Sequence, residues 1–465
     1  MPLSVNVIAD QGNALPTRPG VSGWSEFPAV YIAPAGVYGS PVIGMCAWRS
    51  FLVWVTADRK IRAMPIGGGI LELSDATDES KLDGGLRPSF VPGRNMLVIA
   101  GGGAMQKWTG AGVSSRLTNT GEGGDPPNTN QVVSVAQRLI AAVNSASGQL
   151  WWSGPLEEYE NWDMGTGGSS YIQAAAKPDP IIALTDNTNE VFAWGRDTLQ
   201  VFAPANLAAD ANDPNNLLDF APARTANIGI TARDSICPVD DTFIALDRIR
   251  RVVITDGRGY TDISSQVAKL LRDFEVVDDC WSFRMRYSKW DCIVFIFPTV
   301  GRGLIFNAKS SRWSEWQYSI EGSNPSPIPI TSAYHWTEQN VFLVGMSDGS
   351  IATLDDEATT DLGFPIIVEL VSGFQTHGTT QQKACKTLML AYRAEATGGN
   401  ARLWRRDGLG AWTLTKQIEL NSTISTNKQI RSIGVYRQRQ WKMRYLASDR
   451  FRLISVFEEF EPLGA

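Results

Sequence analysis

Residues 290–307 read WDCIVFIFPTVGRGLIFN. A first apolar run rich in β-branched and aromatic residues leads into a turn with two glycines, and a second apolar run follows. This arrangement is typical of a β-hairpin. The strongest apolar stretch, Cys292 to Pro298, has the length of a strand and falls far short of the roughly 20 residues of a membrane-spanning helix. The sequence around this hairpin therefore predicts a β protein.

The same hairpin pattern returns six more times, at residues 49–64, 94–108, 137–153, 189–202, 241–256 and 339–354. The first strands of the seven copies begin near Phe51, Met96, Leu139, Val191, Phe243, Ile293 and Val341, so neighbouring copies lie 43 to 52 residues apart. A period of about 40–50 residues in a β-rich chain indicates a β-propeller with one four-stranded blade per repeat. A solenoid would share the period, but the Gly- and Trp-rich hairpins favour a closed ring of about seven blades.

The rest of the chain supports an all-β fold with a second domain. The chain has 465 residues, of which 43% are hydrophobic and 19% charged, so it can bury a large core. Helical periodicity is confined to Ser264–Phe274. After residue 360 alternating strands continue without the hairpin repeat, which predicts a small β-sandwich. We therefore expect an N-terminal arm and closing strand at residues 1–45, a propeller at 46–360 and a basic β-sandwich-like domain at 361–465.

The two predicted parts of the chain also differ in net charge. The formal net charge of the chain is -6. Residues 361–465 contain 15 Lys/Arg and 9 Asp/Glu, a net charge of +6, which leaves −12 for residues 1–360. The acidic propeller and the basic sandwich are thus expected to meet different partners.

The residue types that carry catalysis are sparse. Five widely spaced cysteines include no Cys-x-x-Cys pair, and two histidines, His335 and His377, cannot supply a His-rich zinc site. The sequence contains no Gly-x-Ser-x-Gly elbow, and its triglycine runs lack the lysine of a phosphate loop. Asp278 and Asp279 are adjacent in sequence, which does not create an acid/base pair across a cleft. We predict no catalytic residue, metal, cofactor or small-molecule substrate.

Two sets of residues are candidates for binding a partner. Basic residues are interleaved with Trp404, Tyr436, Trp441 and Tyr445 in the C-terminal domain, which suits contact with a phosphate backbone or an acidic protein. A solvated outer face explains the same pattern equally well. The candidate partner-interface residues are Arg402, Arg405, Arg406, Lys428, Arg431, Arg437, Arg439, Lys442 and Arg444. A glycan platform of Trp151, Trp152 and Trp162 is a weaker candidate, because packing between blades is the usual role of such residues.

An ordered series of short motifs resembles one protein family. The motifs are Arg18-Pro-Gly20, Leu150-Trp-Trp-Ser153 with Asn161-Trp-Asp163, Lys177-Pro-Asp-Pro-Ile-Ile-Ala183, Phe192-Ala-Trp-Gly-Arg-Asp-Thr-Leu-Gln-Val-Phe202, Ala226-Asn-Ile-Gly-Ile230, Trp290-Asp-Cys-Ile-Val-Phe-Ile-Phe297 with Leu304-Ile-Phe-Asn307 and Trp313, and Trp441-Lys-Met-Arg444. Their order and spacing are similar to those of the packaged-DNA stabilisation proteins of short-tailed phages, also called tail hub or nozzle proteins.

The resemblance implies a structural role in the virion, with assembly in the host bacterial cytoplasm. Family members contain a propeller and form a ring of six below the portal and its adaptor. The ring extends the DNA channel, retains the packaged genome, and contacts the tail needle, spikes or fibres. The resemblance supplies no catalytic residues.

Charge adds an expectation about DNA, and two other functions stay open. Tight phosphate contacts would slow ejection, so we expect double-stranded DNA to pass without being tightly bound. The alternative is a glycan-binding or glycan-cleaving propeller of a tail fibre or sialidase-like protein. A third possibility is an intracellular propeller scaffold with peptide partners.

Overall fold

Strand β23 of the computed structural model, Trp290–Phe297, shows why the hairpins are apolar throughout. Cys292, Val294 and Ile296 pack toward the following sheet, whereas Ile293, Phe295 and Phe297 pack toward the preceding one. Successive side chains of a strand point to opposite faces, so a strand between two neighbouring sheets must be apolar at every position. The structure describes residues 20–23, 39–75, 78–121, 124–143, 148–163, 170–174, 179–205, 219–287, 290–318, 328–355, 358–394, 399–420, 423–446 and 452–463.

Within these residues, seven four-stranded antiparallel units form the blades of a propeller. The strands are β2 (Val42–Trp48), β3 (Phe51–Thr56), β4 (Ile61–Pro65) and β5 (Leu71–Glu72) in blade 1; β6 (Ser89–Pro92), β7 (Leu97–Ala100), β8 (Gln106–Trp108) and β9 (Ser115–Arg116) in blade 2; β10 (Thr129–Val135), β11 (Arg138–Val143), β12 (Gln149–Trp152) and β13 (Ser170–Gln173) in blade 3; β14 (Ala183–Asp186), β15 (Val191–Trp194), β16 (Leu199–Ala205) and β17 (Asp219–Ala226) in blade 4; β18 (Cys237–Val239), β19 (Thr242–Leu246), β20 (Val252–Thr255) and β21 (Tyr260–Asp262) in blade 5; β22 (Trp281–Tyr287), β23, β24 (Arg302–Asn307) and β25 (Arg312–Trp316) in blade 6; and β26 (Ile330–Trp336), β27 (Val341–Met346), β28 (Ile351–Asp355) and β1 (Gly20–Gly23) in blade 7, which β29 (Thr360–Asp361) and β30 (Phe364–Pro365) extend.

The predicted all-β propeller is confirmed, and the seven predicted hairpins are the second and third strands of the seven blades. A buried hydrophobic cluster lies between each pair of neighbouring blades. The cluster between the last and first blades packs Trp336 and Leu343 against Leu52 and Trp54. Seven interfaces for seven blades mean that the ring is closed.

The chain closes its ring with β1, a strand from the N-terminal part of the sequence. β1 pairs antiparallel with β28, from Gly20 opposite Asp355 to Gly23 opposite Ala352. The backbone N–H of Val21 donates to Asp361 Oδ1 at 3.2 Å. Blade 7 is therefore built from both ends of the propeller sequence, which ties the last blade to the start of the chain. Blade 1 begins at Val42.

The C-terminal residues form two further sheets around a separate core. The four-stranded sandwich sheet has the order β31 (Ile367–Val371), β36 (Arg439–Leu446), β33 (Gly399–Asp407) and β34 (Thr413–Leu420). The three-stranded sandwich sheet has the order β35 (Thr423–Tyr436), β32 (Lys383–Ala394) and β37 (Arg452–Pro462). Their inner faces share one hydrophobic cluster, to which Leu388, Leu403 and Met443 belong. This architecture matches the predicted sandwich.

Helical structure is short. The helix predicted at Ser264–Phe274 is shorter in the structure, where α1 covers Ala268–Asp273. Its first turn is lost because the Oγ and N–H of Ser264 both donate to Asp262 Oδ1, which holds Ser264 in a turn. In the part of the chain that the structure describes, 3₁₀ turns cover Asp78–Ser80 and Arg233–Ser235. Among the described residues, no helix has the length and apolar character needed to cross a membrane.

Candidate functional site

The axis of the propeller is occupied by an arginine that bridges several blades. Arg87, which precedes blade 2, donates from its guanidinium to the carbonyl oxygens of Ile43 at 3.1 Å and Thr331 at 2.6 Å. Its Cζ lies 4.4 Å from the ring centroid of Trp281. These partners belong to blades 1, 7 and 6. One side chain can reach blades on opposite sides of the ring only at the axis.

A second arginine completes this axial cluster. Arg233 of blade 5 donates to the carbonyl oxygen of Asn130 in blade 3 at 3.2 Å and to that of Arg87 at 2.7 Å. Asp234 pairs with both arginines, at 2.9 Å from Arg233 and 3.8 Å from Arg87. Because these side chains span the axis from blade 3 to blade 7, a DNA duplex cannot pass through the middle of a single propeller.

The nine basic residues predicted as a partner interface do not form one patch. Four of them lie on the outer face of the four-stranded sandwich sheet, where Arg402 pairs in register with Arg444 and Trp404 with Lys442. Arg402 and Arg444 are exposed. We call Arg402, Arg406, Lys442 and Arg444, with Trp404 and Trp412, the basic–aromatic face.

Aromatic rings hold two of its cations in place. Lys442 Nζ lies 4.9 Å from the ring centroid of Trp412 and 5.2 Å from that of Trp404. Arg406 Cζ lies 4.9 Å from the Trp412 centroid. Cation–π contacts of this kind order long side chains at a surface. The face can thus present fixed positive charges and stacking surfaces to an anionic partner.

Four other members of the set lie elsewhere in the sandwich. Lys428 and Arg431 are exposed on β35, at the edge of the other sheet. Arg437 lies in the turn between β35 and β36 and is exposed. Arg405 points between the sheets and donates to the carbonyl oxygen of Ile433.

Arg439 is a correction to the predicted interface, because its side chain is 0% exposed. Its Nε lies 2.6 Å from Asp407 Oδ1, and its guanidinium stacks 4.1 Å from the ring centroid of Tyr436. The interleaved pattern suggested an accessible cation, but a partner 32 residues away in sequence neutralises this charge inside the domain. Arg439 is therefore unavailable to another molecule.

The sandwich also buries a polar network that sequence reasoning missed. Tyr436 donates its O–H to Glu458 Oε1 at 2.6 Å, and Trp441 donates its Nε1–H to Glu458 Oε2 at 3.1 Å. His377 Nε2 lies 3.0 Å from the Tyr436 oxygen. The Glu458 side chain is only 6% exposed. Burial, followed by the hydrogen bond to the Glu458 carboxylate, raises the pKa of Tyr436 above its usual range.

The tryptophan, aspartate and cysteine residues that the sequence analysis considered are part of the packing and hydrogen bonding of the fold. Trp152 and Trp162 are buried between blades, so they cannot form a glycan platform with Trp151. Asp279 accepts the backbone N–H of Thr299 at 2.7 Å and braces a loop. All five cysteines are buried without disulfide bonds. Within the described ranges, no three His, Cys, Asp or Glu side chains are grouped so as to hold a metal ion.

Three of the sequence motifs that resemble the phage family contact one another in blade 4. Asp179 accepts the backbone N–H of Arg196 at 2.9 Å, of Asp197 at 2.8 Å and of Thr198 at 2.9 Å. An added Cβ at Gly229 would overlap the carbonyl of Arg196. Three separated sequence motifs thus meet at one turn, which gives their spacing a physical reason. Residues 1–19, which include most of the Arg18-Pro-Gly20 motif, lie outside the described part of the chain.

A family model described as "Bacteriophage P22 Gp10, beta-propeller" matches residues 74–359, which is more than half of the chain. No curated protein matches the sequence. The crystal structure of BBS1N in complex with ARL6DN is 14% identical and has a TM-score of 0.43, covering 74% of this chain and 99% of that one. The computationally designed Ika8 protein is 13% identical with a TM-score of 0.37, covering 68% and 96%. BamB from Moraxella catarrhalis is 12% identical with a TM-score of 0.37, covering 67% and 96%.

Proposed function

This chain belongs to the phage stabilisation family described as "Bacteriophage P22 Gp10, beta-propeller", and from that premise we propose that it is a structural subunit of a phage tail nozzle. In this proposal six copies form a ring below the portal and its adaptor. The ring extends the DNA channel, retains packaged DNA and transmits it on ejection, and it contacts tail needle, spike or fibre proteins.

The family match is the observation that carries this proposal. The matched residues, 74–359, run from the end of blade 1 to the end of β28. They therefore include blades 2 to 6 and the three strands that β1 completes in blade 7. The family is one of structural phage proteins, so the chain is a virion component.

The axial cluster supports a DNA path that lies between subunits. Arg87 and Arg233 close the axis of each propeller. A duplex must then run through the central opening that several copies surround, and not through any one propeller. This arrangement favours a ring over a chain of stacked single propellers.

The glycan-cleaving alternative gains no support from the geometry. Such an enzyme needs a Tyr or Glu nucleophile beside arginines at an open propeller mouth. The chain does join Tyr436, Glu458 and Arg439, but it does so inside the sandwich, where all three side chains are buried or nearly so. A substrate has no access to them.

Imaging of assembled particles tests the proposal directly. Electron cryomicroscopy should show six-fold density for this chain below the adaptor, with an open central channel. Particles made without the chain should lose their packaged DNA after filling. Density for the chain within a fibre, or full particles that lack it, would contradict the proposed role.

A further inference from the structure

The three-stranded sandwich sheet has two long edges. β35 has 14 residues and β37 has 11, and in the described part of the chain each pairs with β32 alone. Edge strands present unpaired N–H and C=O groups, and soluble proteins usually keep them short or cover them. Edge strands of this length are therefore expected to be covered by another protein surface.

The two edges carry opposite charge. β35 contains Lys428 and Arg431 and no acidic residue, whereas β37 contains three glutamates and one arginine. Two of those glutamates have partners within the subunit, since Glu458 is buried and Glu461 pairs with Lys386 at 2.9 Å. Glu459 is exposed. β35 thus carries a net charge of +2 and β37 a net charge of −2.

The side of the sandwich formed by β31 and β37 also exposes apolar side chains. Val456 is 46% exposed and Phe457 is 59% exposed on β37. A gap of about 190 Å³ between the two sheets is lined inside by the core residues Leu388, Leu403 and Met443. At this side of the sandwich it forms a groove beside Leu370, Val371 and Leu453. Exposed apolar side chains beside an unpaired edge are available for contact with another molecule.

The opposite side of the sandwich, formed by β34 and β35, has a surface that complements the β31–β37 side. A cleft of about 370 Å³ between β34 and β35 is lined by Arg405, Lys416 and Arg431. Leu414 stands at the same cleft and is 52% exposed. Positive charge with an apolar contact on this side matches negative charge with an apolar groove on the other.

The strand register places Arg431 of β35 and Glu459 of β37 at the same position along the strand direction. Thr387 of β32 pairs with Arg431 on one side and with Glu459 on the other. Both edge strands run antiparallel to β32, so they run parallel to each other. A rotation about an axis along the strands keeps that level, and it therefore brings Arg431 of one copy beside Glu459 of the next.

We infer that neighbouring copies of this chain bind each other through these two sides, the β34–β35 side of one sandwich against the β31–β37 side of the next. The contact is head-to-tail and closes into a ring when the rotation between copies divides a full turn. The inference rests on the proposed nozzle function for the ring itself and adds the surface that forms it.

Charge exchange in the full-length chain tests the contact. We expect Arg431→Glu and Glu459→Arg each to weaken self-association at least about tenfold, because like charges then face each other. A mixture of the two variants should associate again, since each mutated edge meets its complement, and its closed rings should contain an even number of subunits. Native mass spectrometry and light scattering measure both results.

Arg258→Glu is the matched control, because Arg258 is an exposed arginine in the turn between β20 and β21 of the propeller, outside both sandwich edges. It should leave association unchanged, and all variants should keep the wild-type unfolding temperature. Single variants that associate like wild type, a mixture that does not recover, or a wild-type chain that stays monomeric would overturn this contact. Six-fold density for the chain in particles alongside such a result would overturn the contact and leave the nozzle function standing.

Discussion

At the scale of single residues, blade 4 shows how short motifs fix a turn. Asp179 receives hydrogen bonds from three consecutive backbone N–H groups and from the Thr198 hydroxyl at 3.0 Å. Burial acts to raise the pKa of Asp179, but the backbone N–H groups of Asp197, Arg196 and Thr198 outweigh it and hold this pKa below its ordinary value. The ionised carboxylate therefore stabilises the turn between β15 and β16.

Replacing Asp179 with Ala should lower the free energy of unfolding by about 1–3 kcal/mol at pH 7, because the turn loses its charged acceptor. The folded pKa is depressed, so this contribution is present above the unfolded pKa of about 3.9 and is lost as the pH falls through the folded pKa. Urea unfolding of both proteins at pH 7 and under acid measures the difference.

Asp197→Ala is the control for this substitution. Its carboxylate pairs with Arg248 at an exposed site, and such pairs contribute about 0–1 kcal/mol. An Asp179 variant no less stable than the Asp197 variant, or a difference that grows under acid, would contradict this account of the turn.

The glycine of the neighbouring motif gives a steric prediction. Gly229→Ala should lower the free energy of unfolding by about 2–4 kcal/mol, because the added methyl meets the rigid backbone carbonyl of Arg196. Gly259→Ala, at a site with open space around it, should change stability little. Thermal unfolding of the two variants side by side decides between steric overlap and a general intolerance of alanine.

At the scale of elements, strands that are buried on both faces can be predicted from the sequence. Strands that carry polar residues on a solvent-exposed face cannot be predicted in the same way. β23 and its six counterparts were predictable because burial between blades demands continuous apolar runs. β35 has no such apolar run, because an edge strand tolerates Lys428, Arg431 and Gly434, which has a φ of 96°. The burial of Arg439 was also unpredictable, since only the fold brings Asp407 to it.

The closing strand is the element whose loss is most informative. Removing residues 1–23 should lower the unfolding temperature and cause aggregation, because it exposes the edge of β28 and removes buried Val21 from between blades 6 and 7. Removing only residues 1–19 keeps β1 and serves as the control. Thermal unfolding and light scattering compare the two, and equal behaviour would mean that β1 does not hold the ring closed.

At the scale of the whole molecule, charge and the closed axis separate two roles. The axial cluster fills the middle of the propeller, so in the proposed ring each propeller would form part of the channel wall. Residues 1–360 carry a net charge of −12. An acidic wall repels phosphate and lets a duplex slide past. The net charge of +6 lies in the sandwich, which also carries the basic–aromatic face. In the proposed nozzle, the sandwich would therefore provide contacts to other proteins, and the acidic propeller would face DNA without binding it.

This division predicts weak binding of duplex DNA. At physiological salt we expect a Kd no tighter than about 10⁻⁴ M for a short labelled duplex, the weak end of non-specific binding. Residual binding at low salt should come from the basic–aromatic face, so Arg402→Glu with Arg444→Glu should reduce it and flatten its salt dependence. Lys269→Glu, which alters an exposed ion pair on α1, changes charge away from that face and should affect binding less. Fluorescence anisotropy over a salt series measures these values. Submicromolar affinity with a steep salt dependence would instead mean that the protein grips DNA, which a conduit for ejection cannot do without slowing it.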